Sequence, residues 1–367
     1  AKNPLRSGPT VTAPPPVSVS RPSRSSSSSG SAWGGPLRLV LRLLVMGIGL
    51  GVITGTGLKL LAPRLAGGGG GAMPKLLPQA TPSLQPLQRG LELGRFEPRT
   101  ELTALSQKWA QLAAVHKDLQ ATGFLLVLDD GRFAQLQPEK PLPAASSIKS
   151  PILLAALEDL DAGKLRWNDP LLLTKEVVGG GAGWMASRPL GTRFPFWEAV
   201  TEMIRVSDNS ATNLLIKKLG GKSALNVRFQ AMGLTGTVIR NWLPDLDGTN
   251  TTSSHDLARA IAMVDTGEKL SPRARDLFRE VMGKSRTNTL LPLGLLMGLG
   301  GDSADPDSDL LAHGVTVLNK TGDIGIAYAD GGLIELPNGQ RAVAAFMVKG
   351  PFNDPRSTDL IRAMAAE

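Results

Sequence analysis

Apolar residues recur at helical spacing from Glu101 to Ala114, with Leu102, Leu105, Trp109 and Leu112 on one face. Two short apolar runs follow, Gly123–Leu128 and Arg132–Leu136, separated by Asp129-Asp130-Gly131. Asp-Gly between such runs predicts a β-hairpin. From about 148 to 309 the pattern is mostly helical. A second hairpin is predicted near the end, where Gly325–Leu336 and Arg341–Val348 flank Pro337-Asn338-Gly339. A last helix then opens with Asp354 as N-cap and Pro355 at its first position. Strands at both ends with helices between them predict an α+β body over 97–367. Its antiparallel sheet would be drawn from about 97–147 and 310–367 and flanked by helices, with an all-helical subdomain at about 148–309.

The first 96 residues follow a different pattern. Residues 1–36 are rich in Ser, Pro and Arg, with too few large apolar side chains to offset the entropy of ordering, and predict a disordered basic tail. Between Arg42 and Lys59 lie sixteen uncharged residues, Leu43–Leu58. Snorkelling of those two cations extends the apolar segment to Leu37–Ala62, enough for a single transmembrane helix. The positive-inside rule then puts the N-terminus in the cytoplasm and the body on the periplasmic or extracytoplasmic side of the cell membrane. A cleaved signal peptide, ending near Gly70-Gly-Ala72, and an organellar transit peptide are the competing readings. Residues 63–96 read as a linker, with the Gly67–Gly71 run and then Pro74, Pro78, Pro82 and Pro86.

Charge sharpens this division. The chain has 40 basic and 32 acidic residues, yet ten of the basic ones precede the first carboxylate, Glu92. The body is therefore nearly neutral, which argues against a nucleic-acid partner. The absence of cysteine excludes disulfides, a thiol nucleophile and Cys-based metal sites. The three histidines, His116, His255 and His313, share no short spacing, so neither a metal site nor a cofactor is expected.

Three short motifs occur in order: Ser146-Ser-Ile-Lys149, Ser207-Asp208-Asn209 and Lys320-Thr321-Gly322. A Ser-x-x-Lys alone arises about once by chance in a chain of this length. All three together, with gaps of 61 and 113 residues, are a strong signal. Ser146 and Lys149 are three apart at the start of a predicted helix, so they share a face. A lysine desolvated there loses proton affinity, and its neutral amine can serve as base to the hydroxyl. The helix N-terminus also directs N–H groups at a developing oxyanion. The bland alternative makes Ser146 an N-cap and Lys149 a surface residue. Lys320-Thr-Gly precedes a predicted strand and offers a cation and a hydroxyl to an anionic substrate.

With these motifs the chain resembles the serine β-lactamase and penicillin-binding protein superfamily, and within it the class A β-lactamase-like branch. The resemblance spans about 100–367 and extends to Ala144-Ala145, Ile204–Leu215, Gly233-Leu-Thr, Arg240–Asp247 and Thr251-Thr252. It implies that Ser146 attacks a lactam or acyl carbonyl with Lys149 as base, and that Ser207 relays a proton to the leaving nitrogen. Asn209 would bind a substrate amide, while Lys320 and Thr321 would hold its carboxylate. Gly322 would permit close approach, and the N–H groups of Ser146 and Asp323 would form the oxyanion hole. Trp184, beside the Gly179–Gly183 stretch, would either wall the cleft or pack in the core. The implied partner is a β-lactam or a cell-wall peptide, on a chain expected to be monomeric.

One departure bears on turnover. Class A enzymes resemble Trp-Glu-Pro-Glu-Leu-Asn in the loop under the nucleophile, and the first glutamate activates the deacylating water. Here the segment is Trp242-Leu-Pro-Asp-Leu-Asp247, so Leu243 takes that position. Leucine accepts no proton, so slow deacylation is expected unless Asp245 or Asp247 substitutes. The arginine that many class A enzymes carry after Lys-Thr-Gly also has no counterpart between Lys320 and Leu336. Three activities fit: a slow β-lactamase, a penicillin-binding D,D-peptidase-like enzyme, or an acylated sensor of lactams or muropeptides.

Overall fold

A computed structural model describes residues 96–367. The predicted tail, transmembrane segment and nearly all of the linker lie outside them. Among the described residues no helix is long and apolar enough to cross a membrane.

Six strands form the main sheet: β1 (Thr100–Glu101), β2 (Gln120–Val127), β3 (Arg132–Leu136), β8 (Thr316–Asp323), β9 (Ala327–Glu335) and β10 (Arg341–Lys349). Their order is β1-β3-β2-β10-β9-β8. Both predicted hairpins are present, as β2–β3 and β9–β10. The sheet is not wholly antiparallel, because β1 pairs with β3 in parallel. Nor does Lys320-Thr-Gly precede a strand: it lies within β8, with Thr321 opposite Asp330 on β9. Two short strand pairs complete the set, β4 (Leu142–Pro143) with β7 (Thr251–Thr252) and β5 (Pro170–Leu172) with β6 (Arg193–Pro195). Strand pairing thus enters the region expected to be all-helical.

β10 shows why the sheet is sandwiched. Val343, Ala345 and Met347 join one apolar cluster, while Ala342, Ala344, Phe346 and Val348 join the other. Both faces are covered, so the strand reads as one continuous apolar run instead of alternating. One cover consists of α1 (Thr103–Ala114) and the last helix, Pro355–Ala366. There Trp109 is buried edge-on against Phe346 and donates its indole N–H to the Met364 carbonyl at 2.8 Å.

The other cover is the helical layer, centred on α2 (Lys149–Asp161). Every residue from Lys149 to Leu157 is buried, so this part of the helix is enclosed on all sides. Around it lie α3 (Phe196–Arg205), α4 (Asn209–Lys218), α5 (Gly221–Ala231), α6 (Ser254–Asp265) and α7 (Pro272–Met282). Two short helices, α8 (Leu291–Gly298) and α9 (Pro306–Ala312), lead back to β8, and the chain ends in α10, the Pro355–Ala366 helix. As expected, α10 is capped by Asp354, which accepts from the Arg356 N–H, with Pro355 in its first turn.

Trp109→Ala removes a buried ring and leaves the Met364 carbonyl without its donor. It should lower the unfolding free energy by about 3–5 kcal/mol, read from urea denaturation of wild type and variant.

Candidate active site

The Ser146 segment is not an ordinary helix start. Ala145–Ile148 forms a 3-10 turn, and α2 begins only at Lys149. Ala145 takes a left-handed backbone (φ +48°), a conformation costly outside glycine. This turn lies against the edge strand β8, where Gly322 is required by contact. A Cβ built there would come within 2.7 Å of the Ser147 nitrogen, 2.8 Å of the Ala144 oxygen and 2.9 Å of the Ser146 nitrogen.

Lys149 is fully buried, and its amine lies within hydrogen-bond distance of four oxygens. Ser146 Oγ, Ser207 Oγ and Asn209 Oδ1 are each at 2.9 Å, and the Ser207 carbonyl is at 2.6 Å. Burial, together with the positive Lys320 nearby, pushes its proton affinity well below the ordinary lysine value, and Asp208 only partly offsets this. The bland reading of Ser146 and Lys149 as cap and surface residue therefore does not describe this pair.

Ser207 also has a left-handed backbone (φ +59°), which brings both its hydroxyl and its carbonyl to Lys149. Asp208, fully buried, holds the bend in place. One carboxylate oxygen accepts from Ala211 N at the start of α4, and the other accepts from Trp184 N and Met185 N at 2.7 and 2.8 Å. Asn209 donates to the Gly180 carbonyl at 2.8 Å, so the Gly-rich stretch is tied to this motif. Gly183 (φ +86°) has no room for a side chain, since a Cβ would lie 2.1 Å from Asp208 Oδ2.

Lys320 is fully buried and donates to the Thr321 carbonyl at 2.7 Å. Desolvation lowers its pKa to about 8, against the opposing pull of Asp330. Asp330 itself is raised to about 6 by burial, although it accepts hydrogen bonds from Leu291 N, Asn319 and Thr321. Sequence reasoning missed Asp330. A lone aspartate inside the apolar run Gly325–Leu336 was the available signal.

Ser146 and Asn209 open onto a cleft of about 250 Å³, lined also by Ala145, Gly181, Ala182, Leu243, Pro244, Asp245, Leu246, Asp323 and Ile324, with Lys149 buried behind them. A larger cavity of about 340 Å³, beside Leu160, Asp161, Arg166, Trp167 and Arg273, is lined by no serine, threonine or lysine, so chemistry and not size selects the site. Trp184 is absent from the cleft lining. Its indole donates to Glu202 at 2.7 Å, and its ring meets Phe194 edge-on beneath the Arg188 guanidinium.

Leu243 is buried yet borders the same cleft as Ser146. Asn213, also missed from sequence, fixes its backbone in both directions, accepting from Leu243 N at 2.9 Å and donating to Leu243 O at 2.7 Å. Asp245 reaches the lining, but its carboxylate is engaged within its own loop by Thr249 Oγ1 at 2.8 Å and Asn250 N at 2.6 Å. Asp247 is exposed and does not line the cleft. The structure therefore brings Ser146, Lys149, Ser207, Asn209, Asp323 and Leu243 together, and leaves Trp184 and Asp247 outside.

The model of the beta-lactamase enzyme family matches residues 104–367. A beta-lactamase of Streptomyces albus G is 28% identical over 159 residues, 40% of this chain and 51% of its own. The chain thus spans about half the length of that relative. The extended-spectrum beta-lactamase PER-1 of Pseudomonas aeruginosa is 26% identical over 254 residues, 65% of this chain and 78% of its own. Among solved structures, PBP-A is 40% identical, covers 74% of this chain and 96% of its own, and superposes with a TM-score of 0.68. A PBP-A variant carrying a leucine-to-glutamate replacement, solved as an acyl-enzyme complex with penicillin G, has a TM-score of 0.67.

The depressed Lys320 pKa makes a stability prediction with a definite sign. The unfolded lysine holds its proton up to about pH 10.5 and the folded one only to about 8, so between these values the unfolded state binds more protons. Stability conferred through Lys320 therefore rises with pH across that window. Urea unfolding of wild type and Lys320→Met at pH 7.5 and pH 10 should show the difference moving toward wild type by about 2 kcal/mol.

Proposed function

The chain belongs to the beta-lactamase enzyme family, and from that premise we propose that it is a serine hydrolase that opens β-lactam rings through an acyl-enzyme on Ser146 and deacylates slowly. The single observation that carries the second half is Leu243, which borders the cleft beside Ser146 where a water-activating carboxylate is expected.

In acylation, Lys149 takes the Ser146 hydroxyl proton as Oγ bonds to the lactam carbonyl carbon. The N–H groups of Ser146 and Asp323 stabilise the oxyanion. Collapse breaks the C–N bond, and the leaving nitrogen receives its proton through Ser207, whose Oγ lies 2.9 Å from Lys149 Nζ. Asn209 orients the substrate's side-chain amide. Lys320 and Thr321 hold its carboxylate, and Gly322 lets β8 approach. The shared oxygen shell of Lys149 supports this assignment.

Hydrolysis of the ester then needs a water with a base beside it. Leu243 offers none, Asp245 is engaged by Thr249 and Asn250, and Asp247 is exposed outside the cleft. Loss of a positioned general base costs about 10²–10⁴ in rate, which makes the acyl-enzyme long-lived. The same economy suits a D,D-peptidase-like enzyme acting on cell-wall peptides. That second reading is favoured by the 40% identity to PBP-A, against 26% to PER-1. Anchoring to the cell membrane through Leu37–Ala62, with the catalytic domain outside the cytoplasm, remains part of the proposal; it is supported by the uncharged Leu43–Leu58 stretch.

Intact-protein mass and nitrocefin turnover followed together after penicillin addition test the reading. Wild type should show a stoichiometric burst of acylation followed by turnover slower by about two orders of magnitude or more, and Ser146→Ala should gain no mass. Leu243→Glu should shorten the acyl-enzyme lifetime at least tenfold. Burst-free hydrolysis by wild type would contradict the slow step, and mass gain by Ser146→Ala would contradict the nucleophile.

A further inference from the structure

Away from the cleft, the link between β3 and β4 meets the start of α6. The His255 N–H and the Ser254 hydroxyl both donate to the Pro138 carbonyl, at 3.1 and 3.2 Å. This fixes Glu139 beside His255 and Asp256, although 116 residues separate Glu139 from His255. The His255 ring is clamped between Phe96 and Phe124, edge-to-face at 5.0 and 5.1 Å. Its Nδ1 lies 3.2 Å from Glu139 Oε1 and 4.0 Å from Asp256 Oδ1.

Asp256 makes the cluster unusual. Its side chain is completely buried. Oδ2 is satisfied by Gly236 N at 2.8 Å and Thr237 Oγ1 at 2.7 Å. Oδ1 is buried with no hydrogen-bond partner, and so is His255 Nδ1. The nearby Arg259 does not pair with it: its Nε donates to the Met232 carbonyl, and its guanidinium covers the Phe96 ring. A buried carboxylate oxygen without a donor thus faces an imidazole nitrogen whose near contact is the carboxylate of the exposed Glu139 at 3.2 Å.

We propose that Glu139, His255 and Asp256 bind a divalent transition-metal ion of the zinc type, with water completing the coordination. One ligand atom from each residue falls within 4.8 Å of the others. Two ligands about 2.1 Å from a tetrahedral ion lie about 3.4 Å apart, so His255 Nδ1 and Glu139 Oε1 at 3.2 Å are already spaced for it. Asp256 Oδ1, 4.0 Å from that nitrogen, must draw in by a few tenths of an ångström while Glu139 turns toward it. One imidazole with two carboxylates suits zinc better than the all-oxygen sites of calcium or magnesium. The ion would pin the β3–β4 link to α6, just after the strand that pairs with the segment leading to Ser146. Its role is structural and independent of the acyl-enzyme proposal.

The test uses the full-length chain, stripped with EDTA, freed of chelator and titrated with zinc chloride against a chromogenic zinc chelator. Wild type should bind one equivalent and show a zinc-dependent rise in its thermal midpoint. Glu139→Gln alters only an exposed side chain, and His255→Phe keeps a ring between Phe96 and Phe124. Each should weaken binding at least tenfold and abolish the thermal rise. Absence of stoichiometric binding by wild type, or unchanged affinity in Glu139→Gln, overturns the site. The Gln variant decides the matter even if the Phe variant fails to fold. Binding that survives in a folded His255→Phe would place the ion elsewhere and equally overturn it.

Discussion

A lysine ammonium has three protons to donate, and the amine of Lys149, itself shielded from water, is surrounded by four oxygens. Two of these, the Ser207 carbonyl and Asn209 Oδ1, can only accept. The other two are the hydroxyls of Ser146 and Ser207, which can accept or donate. A neutral amine meets this set economically. Its two N–H groups serve the two obligate acceptors, and its lone pair faces a hydroxyl proton. The shell that buries the lysine therefore also favours the neutral amine that the proposed base toward Ser146 requires, in keeping with its lowered proton affinity.

Much of the surrounding structure maintains that shell. Ser207 reaches Lys149 with two oxygens only because its backbone is left-handed, a conformation worth about 1–3 kcal/mol of strain. Asp208 offsets that strain with three backbone donors drawn from α4 and from Trp184 and Met185, just after the Gly-rich stretch. Gly322 lets β8 lie directly against the Ser146 turn, and β8 carries Lys320, whose charge further discourages a proton on Lys149. On the opposite wall, Asn213 fixes the backbone of Leu243, so the residue bordering the nucleophile is set by the fold and not by loop mobility.

The sequence disclosed the periodic elements and the chemistry-bearing motifs. Both hairpins, α1, and the cap of α10 follow from apolar spacing and turn residues, and the motif order located Ser146, Lys149, Ser207 and Lys320. The remainder depended on contacts between distant segments. No local pattern distinguishes a Trp184 that walls a cleft from one that donates to Glu202, because the choice is made by where α3 packs. Asp245 looked available as a base in the linear sequence, and only the folded loop shows its carboxylate engaged by Thr249 and Asn250. The placement of Lys320-Thr-Gly inside β8 instead of before a strand likewise reflects pairing with β9, a tertiary effect that overrides local signals.

The protonation state of Lys149 can be observed directly at its side-chain nitrogen. Full-length protein labelled with ¹⁵Nζ-lysine, with the Lys149 signal assigned by its loss in Lys149→Met, can be titrated by NMR. The Lys149 midpoint should lie well below that of the exposed lysines, so that the neutral amine is present while they remain charged. A Lys149 signal that stays an ammonium up to the ordinary value of 10.5 would contradict it.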